Sequence, residues 1–84
     1  MVRQARSEAT RQRIVNAAVE LFSDVGYQAT GLGDIIERAQ LTKGALYYHF
    51  DSKEALATAI ITRPEHVPEQ TKKDLAPIIG KYMT

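Results

Sequence analysis

The sequence contains no cysteine and no long hydrophobic run among its 84 residues. Without cysteine the chain forms no disulfide and no thiolate metal site, which excludes the disulfide-stabilised secreted class and fits a reducing cytoplasm. Glu20 and Asp24 interrupt the first apolar stretch and Arg63 ends the last, so no segment reaches the roughly 18 apolar residues of a membrane span. A chain this short supports one small domain, and an enzyme with its own deep pocket is not expected.

Net charge is also small, at +1, so the charge of the whole chain does not indicate a nucleic-acid-binding protein. The distribution of charge is uneven, because residues 1–13 contain four arginines against one glutamate, a local net charge of +3. An arm that faces phosphates needs such a concentration, and a solvated, charged helix start explains it equally well. These four arginines are Arg3, Arg6, Arg11 and Arg13.

The first predicted element is a helix over residues 8–25, in which an apolar stripe runs from Ile14 to Val25 while Arg13 faces away. Gly26 is expected to end it, since a residue without a Cβ enters the left-handed conformation at little cost. A shorter second helix follows. Thr30 is its predicted N-cap, and its buried face is predicted to consist of Leu32, Ile35, Ile36 and Ala39.

Only Gln40, Leu41 and Thr42 separate the second helix from a third, for which Thr42 is the predicted N-cap. Leu46 and Phe50 lie four residues apart and are expected to pack inward. A fourth helix is predicted to begin after an N-cap at Ser52 and to continue until Pro64.

All three prolines lie in the last part of the chain, and residues 63–70 are predicted to form an extended linker. A terminal helix from Leu75 to Tyr82 is possible, with Asp74 as its cap and Pro77 in its first turn. The predicted fold class is therefore all-α. It is a three-helix bundle with a helix-turn-helix unit, a fourth helix and a short C-terminal tail.

A long helix followed by two short helices and a three-residue turn is typical of the helix-turn-helix unit. In such units the second short helix enters the major groove of DNA. That placement explains the hydrogen-bond donors on a helix too short to need them for packing, which are Thr42, Lys43, Tyr47, Tyr48 and His49. Gly44 would let a phosphate approach the backbone at the positive end of the helix, and Lys53 would reach the same phosphate backbone.

The sequence closely resembles the DNA-binding domain of TetR-family bacterial transcriptional regulators in two stretches, TRQRIVNAAVELFSDVGYQATGLGDII and TKGALYYHFDSKEAL. The resemblance covers residues 8–62, and many positions agree in order and spacing. The matching residues are Thr10, Arg11, Ile14, Ala17, Ala18, Leu21, Phe22, Gly26, Tyr27, Thr30, Lys43, Gly44, Leu46, Tyr47, Phe50 and Lys53. Within the family, TKGALYYHF and the RQARSEATRQ start are similar to the γ-butyrolactone autoregulator receptors.

The resemblance implies a set of DNA-contacting residues, most of which are expected to contact phosphates. Lys43, Ala45 and Tyr48 are expected to read bases, Ala45 by placing its methyl group against a thymine methyl. The full set is Thr30, Thr42, Lys43, Gly44, Ala45, Tyr47, Tyr48, His49 and Lys53.

The resemblance also implies a homodimeric repressor that binds a palindromic operator in double-stranded DNA. Family members release the operator when a small-molecule inducer enters a separate helical C-terminal domain, and they continue far beyond the fourth helix. This sequence ends at Thr84, so we expect the ligand-binding domain and the usual dimer interface to be absent from this chain. The expected organisation is a DNA-binding domain over residues 1–63 and a linker with a possible short helix over residues 64–84. The expected location is the cytoplasm, at the nucleoid, with no cofactor.

Two alternatives remain open at this stage. An enzyme or metal site would have to use His49, His66, Tyr47 and Ser52, but the two histidines share no helical face with an acidic residue and no nucleophile motif is present. A protein-interaction module on the same scaffold is the other alternative, because fold does not fix function. Tyr47 and Tyr48 suit an interface, whereas the lysine, threonine and histidine beside them do not.

Overall fold

A computed structural model describes residues 2–62 and 67–83, and among these residues it contains five helices and no strand. Side chains are described for residues 8–62 and 67–80. The all-α prediction is confirmed. In chain order the helices are α1 (Val2–Asp24), α2 (Leu32–Ala39), α3 (Lys43–His49), α4 (Lys53–Thr62) and α5 (Glu69–Met83).

Helix α1 is the centre of the domain, and each of the other four helices packs against it. Its apolar stripe meets side chains from all of them in one core, except that Val25, the predicted end of the stripe, lies beyond the end of the helix and is 53% exposed. Removing this apolar surface from water supplies the main stabilisation of a domain that has no disulfide. The largest fully buried side chains are Phe22, Ile14, Ile35, Leu46, Leu56, Ile60, Leu75 and Thr30.

Helix α1 differs from the predicted range of residues 8–25 mainly at its start, since it ends at Asp24. The helix begins at Val2 and not at residue 8, because residues 2–7 are mostly good helix formers, although they carry no apolar stripe. At the other end Gly26 has φ +93°, and its amide donates to the Phe22 carbonyl oxygen. The prediction that Gly26 ends the helix is confirmed.

The N-cap prediction for α2 was wrong by one residue. Gly31 is the N-cap, and its backbone amide donates to the Asp34 carboxylate at 2.9 Å. Thr30 is instead buried, and its hydroxyl donates to the Gly26 carbonyl oxygen at 2.8 Å. The side chain therefore turns back onto the end of α1 and cannot cap α2.

The predicted starts of α3 and α4 are confirmed. Thr42 Oγ1 accepts a hydrogen bond from the Ala45 amide, and Ser52 Oγ accepts one from the Ala55 amide, both at 3.1 Å. Each hydroxyl thus satisfies a backbone donor that has no partner inside the helix.

Helix α5 is longer than predicted, because it begins at Glu69 and not beside Asp74. Asp74 lies inside the helix, where it accepts a hydrogen bond from Gln70, and Pro77 also lies in the interior, not in the first turn. An interior proline costs about 3 kcal/mol, which the burial of Leu75 and Ile79 against the core offsets.

Part of the predicted linker lies outside the described residues, namely residues 63–66 with Pro64 and His66. The described remainder is irregular at Val67 and Pro68 and helical from Glu69. None of the helices in the described part of the chain is long and apolar enough to cross a membrane.

Candidate nucleic-acid interface

The turn between α2 and α3 fixes the direction in which the third helix leaves the second. Gln40 takes the left-handed conformation, with φ +57°, and the Leu41 amide donates to the Ile36 carbonyl oxygen at 3.1 Å. This pattern closes a helix by satisfying its last carbonyl groups. Thr42 then caps α3, so the whole turn occupies three residues, as the sequence predicts.

Arg13 braces this turn from α1. Its Nη2 atom donates to the Ala39 carbonyl oxygen at 2.6 Å and to the Gln40 carbonyl oxygen at 3.4 Å. A guanidinium group at the C-terminal end of a helix also complements the helix dipole. The periodicity of α1 predicted only that Arg13 faces away from the core, and no local pattern indicates its partners 26 and 27 residues away.

Helix α3 has two faces of different chemistry. Leu46 and Phe50, which immediately follows the helix, are buried as predicted, whereas Lys43 and Gly44 are exposed. Tyr47 is 41% exposed and Tyr48 is 80% exposed. Packing therefore fixes the inner face of this short helix and leaves its outer face to the solvent.

The long polar side chains of the outer face are available for hydrogen bonds with another molecule. Among the described residues, the side chains of Lys43, Tyr47 and Tyr48 have no hydrogen-bond or ion-pair partner. Ala45 and His49 are half-buried at the edges of this face. Thr42 uses its hydroxyl oxygen as an acceptor in the cap.

Aromatic contacts order the C-terminal end of the same helix. The His49 ring meets the Tyr48 ring edge-on, with centroids 5.0 Å apart, and lies 6.4 Å from the Phe50 ring. The guanidinium carbon of Arg11 lies 5.3 Å from the centre of the Phe50 ring, which is within cation–π distance. Arg11 thus joins α1 to the residue that follows α3, and Arg13 joins α1 to the turn that precedes α3.

Two residues of the predicted DNA-contacting set have other partners in the structure. Thr30 is only 1% exposed, which removes its hydroxyl from the surface. Lys53 Nζ donates to the Tyr27 and Thr30 carbonyl oxygens, each at 2.8 Å, and lies 4.2 Å from the centre of the Tyr27 ring. Tertiary packing of the turn between α1 and α2 is the physical reason for both differences.

Tyr27 is buried beneath this lysine, and its ring packs on Phe22 with centroids 5.1 Å apart. Its hydroxyl makes no hydrogen bond of good geometry to the described residues. Burial, and after it the negative charge of Glu54, raises the pKa of Tyr27 to about 12. The hydroxyl is therefore protonated across the physiological pH range.

Comparison with known proteins shows similarity to bacterial transcriptional regulators. The model of the family described as "Bacterial regulatory proteins, tetR family" matches residues 14–60. The A-factor receptor protein of Streptomyces griseus is 51% identical over 61 residues, covering 73% of this chain and 22% of the receptor.

Two other relatives show the same partial coverage. The HTH-type transcriptional regulator UidR of Escherichia coli (strain K12) is 42% identical over 62 residues, covering 74% of this chain and 32% of UidR. The HTH-type transcriptional regulator AcrR of Shigella flexneri is 44% identical over 62 residues, covering 71% of this chain and 29% of AcrR. The chain thus spans between about a fifth and a third of the length of these three relatives.

The predicted resemblance is confirmed by these matches. The family model covers the second half of α1, both helices of the helix-turn-helix unit and most of α4, which together are more than half of the chain. The chain belongs to the tetR family of bacterial regulatory proteins.

Proposed function

We propose that this chain is a sequence-specific DNA-binding unit that places α3 in the major groove of duplex DNA. The observation that carries the proposal is the outer face of α3, where Lys43, Tyr47 and Tyr48 are exposed and have no partner among the described residues. Buried Leu46 and Phe50 hold that face in position. Membership of a family of bacterial regulators supports the same conclusion.

The residues have different roles in this proposal. The Thr42 hydroxyl, the Tyr47 hydroxyl and His49 donate to phosphate oxygens, which fixes the register of the helix on DNA. Lys43 and Tyr48 reach base edges, where the charge of Lys43 also neutralises a neighbouring phosphate. The half-buried methyl group of Ala45 meets a thymine methyl.

Gly44 has a separate role, which is to bring the backbone close to a phosphate. A Cβ atom at this position would meet nothing within 4 Å in the protein. The fold therefore does not require glycine here. The lack of a side chain would instead allow an external group, such as a phosphate, to approach the backbone closely.

The longer protein that such a domain serves is proposed to be a dimeric repressor on a palindromic operator. Two recognition helices of a dimer lie about 34–36 Å apart, one turn of DNA. An inducer would act through a C-terminal domain beyond this chain, and the γ-butyrolactone receptor type is supported by the 51% identity to the A-factor receptor protein.

Fluorescence-anisotropy binding to a pool of random-sequence duplex DNA tests the proposal, with Lys43→Ala beside the wild type. Affinity should fall steeply between about 50 and 200 mM salt, and the logarithmic slope should be shallower by about 0.9 in Lys43→Ala if one phosphate-neutralising charge is lost. Lys73→Ala removes another exposed lysine, from α5, and serves as the matched control. Its slope should equal that of the wild type.

Absence of binding at low salt requires a second experiment, because a single module buries only about 600–1,000 Å² on DNA. The same chain fused to a leucine zipper restores the two half-sites of a dimer. If the fused dimer also fails to bind DNA, the proposal is rejected. The exposed pair Tyr47 and Tyr48 would then favour the alternative, a protein-interaction surface.

A further inference from the structure

We propose that Lys53 is a positioning residue that fixes the orientation of α3 by joining the two ends of the helix-turn-helix unit. The unit begins at the turn after α1 and ends where α4 starts, and Lys53 is the first residue of α4. This inference rests on the proposed function, since the orientation of α3 matters only if α3 binds DNA. It differs from the predicted role of Lys53, which was a direct phosphate contact.

The contacts of Lys53 use two of the three N–H donors of its ammonium group. Two N–H donors bind the Tyr27 and Thr30 carbonyl oxygens, both at 2.8 Å, across 26 and 23 residues of chain. The charge also lies over the Tyr27 ring, 4.2 Å from its centre, within cation–π distance. Only one N–H donor is left for a phosphate while these contacts are kept.

The acceptors belong to a turn that is already ordered by its own bonds. The Thr30 amide donates to the Tyr27 carbonyl oxygen at 3.2 Å, and the Thr30 hydroxyl donates to the Gly26 carbonyl oxygen at 2.8 Å. The Tyr27 carbonyl therefore accepts from both Thr30 and Lys53, which uses both of its lone pairs. Lys53 thus binds a fixed structure and not a loose loop.

Lys53 thereby fixes the two ends of the helix-turn-helix unit relative to each other. Phe50 ends α3 and is buried, and only Asp51 and Ser52 lie between Phe50 and Lys53. Because Lys53 is bound to the turn that starts α2, the exit of α3 is fixed relative to the entrance of α2. Small changes in this relation would move the outer face of α3 relative to the DNA grooves.

The salt dependence of DNA binding separates a positioning role from a phosphate contact. Lys53→Met retains the apolar stem and removes the donors, and Lys43→Met makes the same change on the outer face of α3. We expect Lys53→Met to lower affinity several-fold at every salt concentration with an unchanged slope, and Lys43→Met to reduce the slope by about 0.9. Lys53→Arg, which keeps donors for both carbonyl oxygens, should restore affinity.

Affinities are compared after correction for the folded fraction of each variant, measured by thermal unfolding. A purely structural residue would then leave the corrected affinity unchanged, which would overturn the proposal. A reduced slope in Lys53→Met, equal to that in Lys43→Met, would also overturn it, because Lys53 would then contact a phosphate.

A measurement without DNA keeps this inference separate from the proposed function. In the wild-type chain, NMR should detect a through-hydrogen-bond correlation between Lys53 Nζ and the carbonyl carbon of Tyr27 or Thr30. If the correlation is present and no duplex binds even to the zipper dimer, the proposed function fails, while the bonds from Lys53 to the turn before α2 are confirmed. If the correlation is absent and the Tyr27 and Thr30 carbonyl shifts are the same in Lys53→Met, the inference is overturned.

Discussion

At the scale of single residues, several cations of this domain bind groups of the protein itself. Arg13 and Lys53 donate to backbone carbonyl oxygens, and Arg11 lies against the Phe50 ring. A count of positive charge along the sequence therefore overestimates the charge available to DNA. Lys43 is the cation that α3 itself presents to the solvent.

Arg13→Met should destabilise the domain by about 1–2 kcal/mol, because two carbonyl oxygens at the end of α2 lose a charged donor. Arg38→Met is the matched control, since Arg38 forms an exposed ion pair with Glu20 at 3.0 Å. Such pairs contribute about 0–1 kcal/mol. Urea unfolding measures both variants, and equal losses would show that the Arg13 contacts add nothing beyond a surface ion pair.

Tyr27→Phe should be at least as stable as the wild type near neutral pH, because it removes a buried hydroxyl that has no good hydrogen bond among the described residues. The ring, with its contacts to Phe22 and Lys53, is retained. Thermal unfolding compares the two proteins. A substantial loss of stability in Tyr27→Phe would mean that the hydroxyl has a partner in solution.

The same pair of proteins should respond differently to high pH. The folded state raises the pKa of Tyr27 to about 12, whereas the pKa of tyrosine in an unfolded chain is about 10. The folded state therefore binds this proton more tightly, and the contribution is complete below a pH of about 10 and lost as pH rises through the folded pKa. Between these values the wild type should lose more stability than Tyr27→Phe, and a constant difference between them would contradict the assignment.

At the scale of elements, features fixed by neighbouring residues could be predicted from the sequence. The caps at Thr42 and Ser52 and the stop at Gly26 depend on local backbone geometry, and all three are confirmed. The cap at Thr30 was wrong because tertiary packing buries that side chain. The start of α5 was wrong because Thr71, which is buried and hydrogen-bonded to Ser23, belongs to the helix, which begins directly after Pro68.

The features of the candidate site also divide into those that neighbouring residues fix and those that depend on tertiary contacts. The exposed face of α3 could be predicted, since Leu46 and Phe50 mark the inner side by their spacing. The carbonyl partners of Arg13 and Lys53 lie more than twenty residues away in the chain and leave no periodic or local pattern. Only the folded chain brings these atoms together.

Helix α3 allows the fold and the proposed contact to be tested separately at Gly44. Gly44→Ala should stabilise the isolated domain by up to about 1 kcal/mol, because alanine favours a helix and the added Cβ meets no atom within 4 Å. DNA affinity should nevertheless fall, since the methyl group would separate the backbone from a phosphate. Thermal unfolding and anisotropy measure the two effects on the same samples.

The control is Gly80→Ala, the same substitution in α5, where an added Cβ also meets nothing within 4 Å. It should raise stability without altering DNA affinity. If Gly44→Ala also leaves affinity unchanged, no phosphate approaches the backbone at Gly44.

At the scale of the whole molecule, α5 is part of the same packed body as the helix-turn-helix unit. It packs on α4 and α1, and the Thr71 hydroxyl, which is buried, forms a 2.6 Å hydrogen bond with Ser23. Leu75 is completely buried in the common core. Stability of the DNA-binding region should therefore depend on α5.

Leu75→Ala should lower the free energy of unfolding by about 2–5 kcal/mol, the range for a fully buried leucine that leaves a cavity. Ile78→Ala, on the half-buried side of the same helix, should cost less. Chemical denaturation followed by circular dichroism measures both. A loss near zero for Leu75→Ala would mean that α5 does not pack on the domain in solution.

The most direct test of the central claim, that the outer face of α3 binds DNA, is an amide NMR titration of the chain with duplex DNA. The largest shift changes should fall on residues 42–49 and their immediate neighbours, while residues 69–80 of α5 should change little. Large changes confined to α5, or none in α3 when DNA is bound, would contradict the claim.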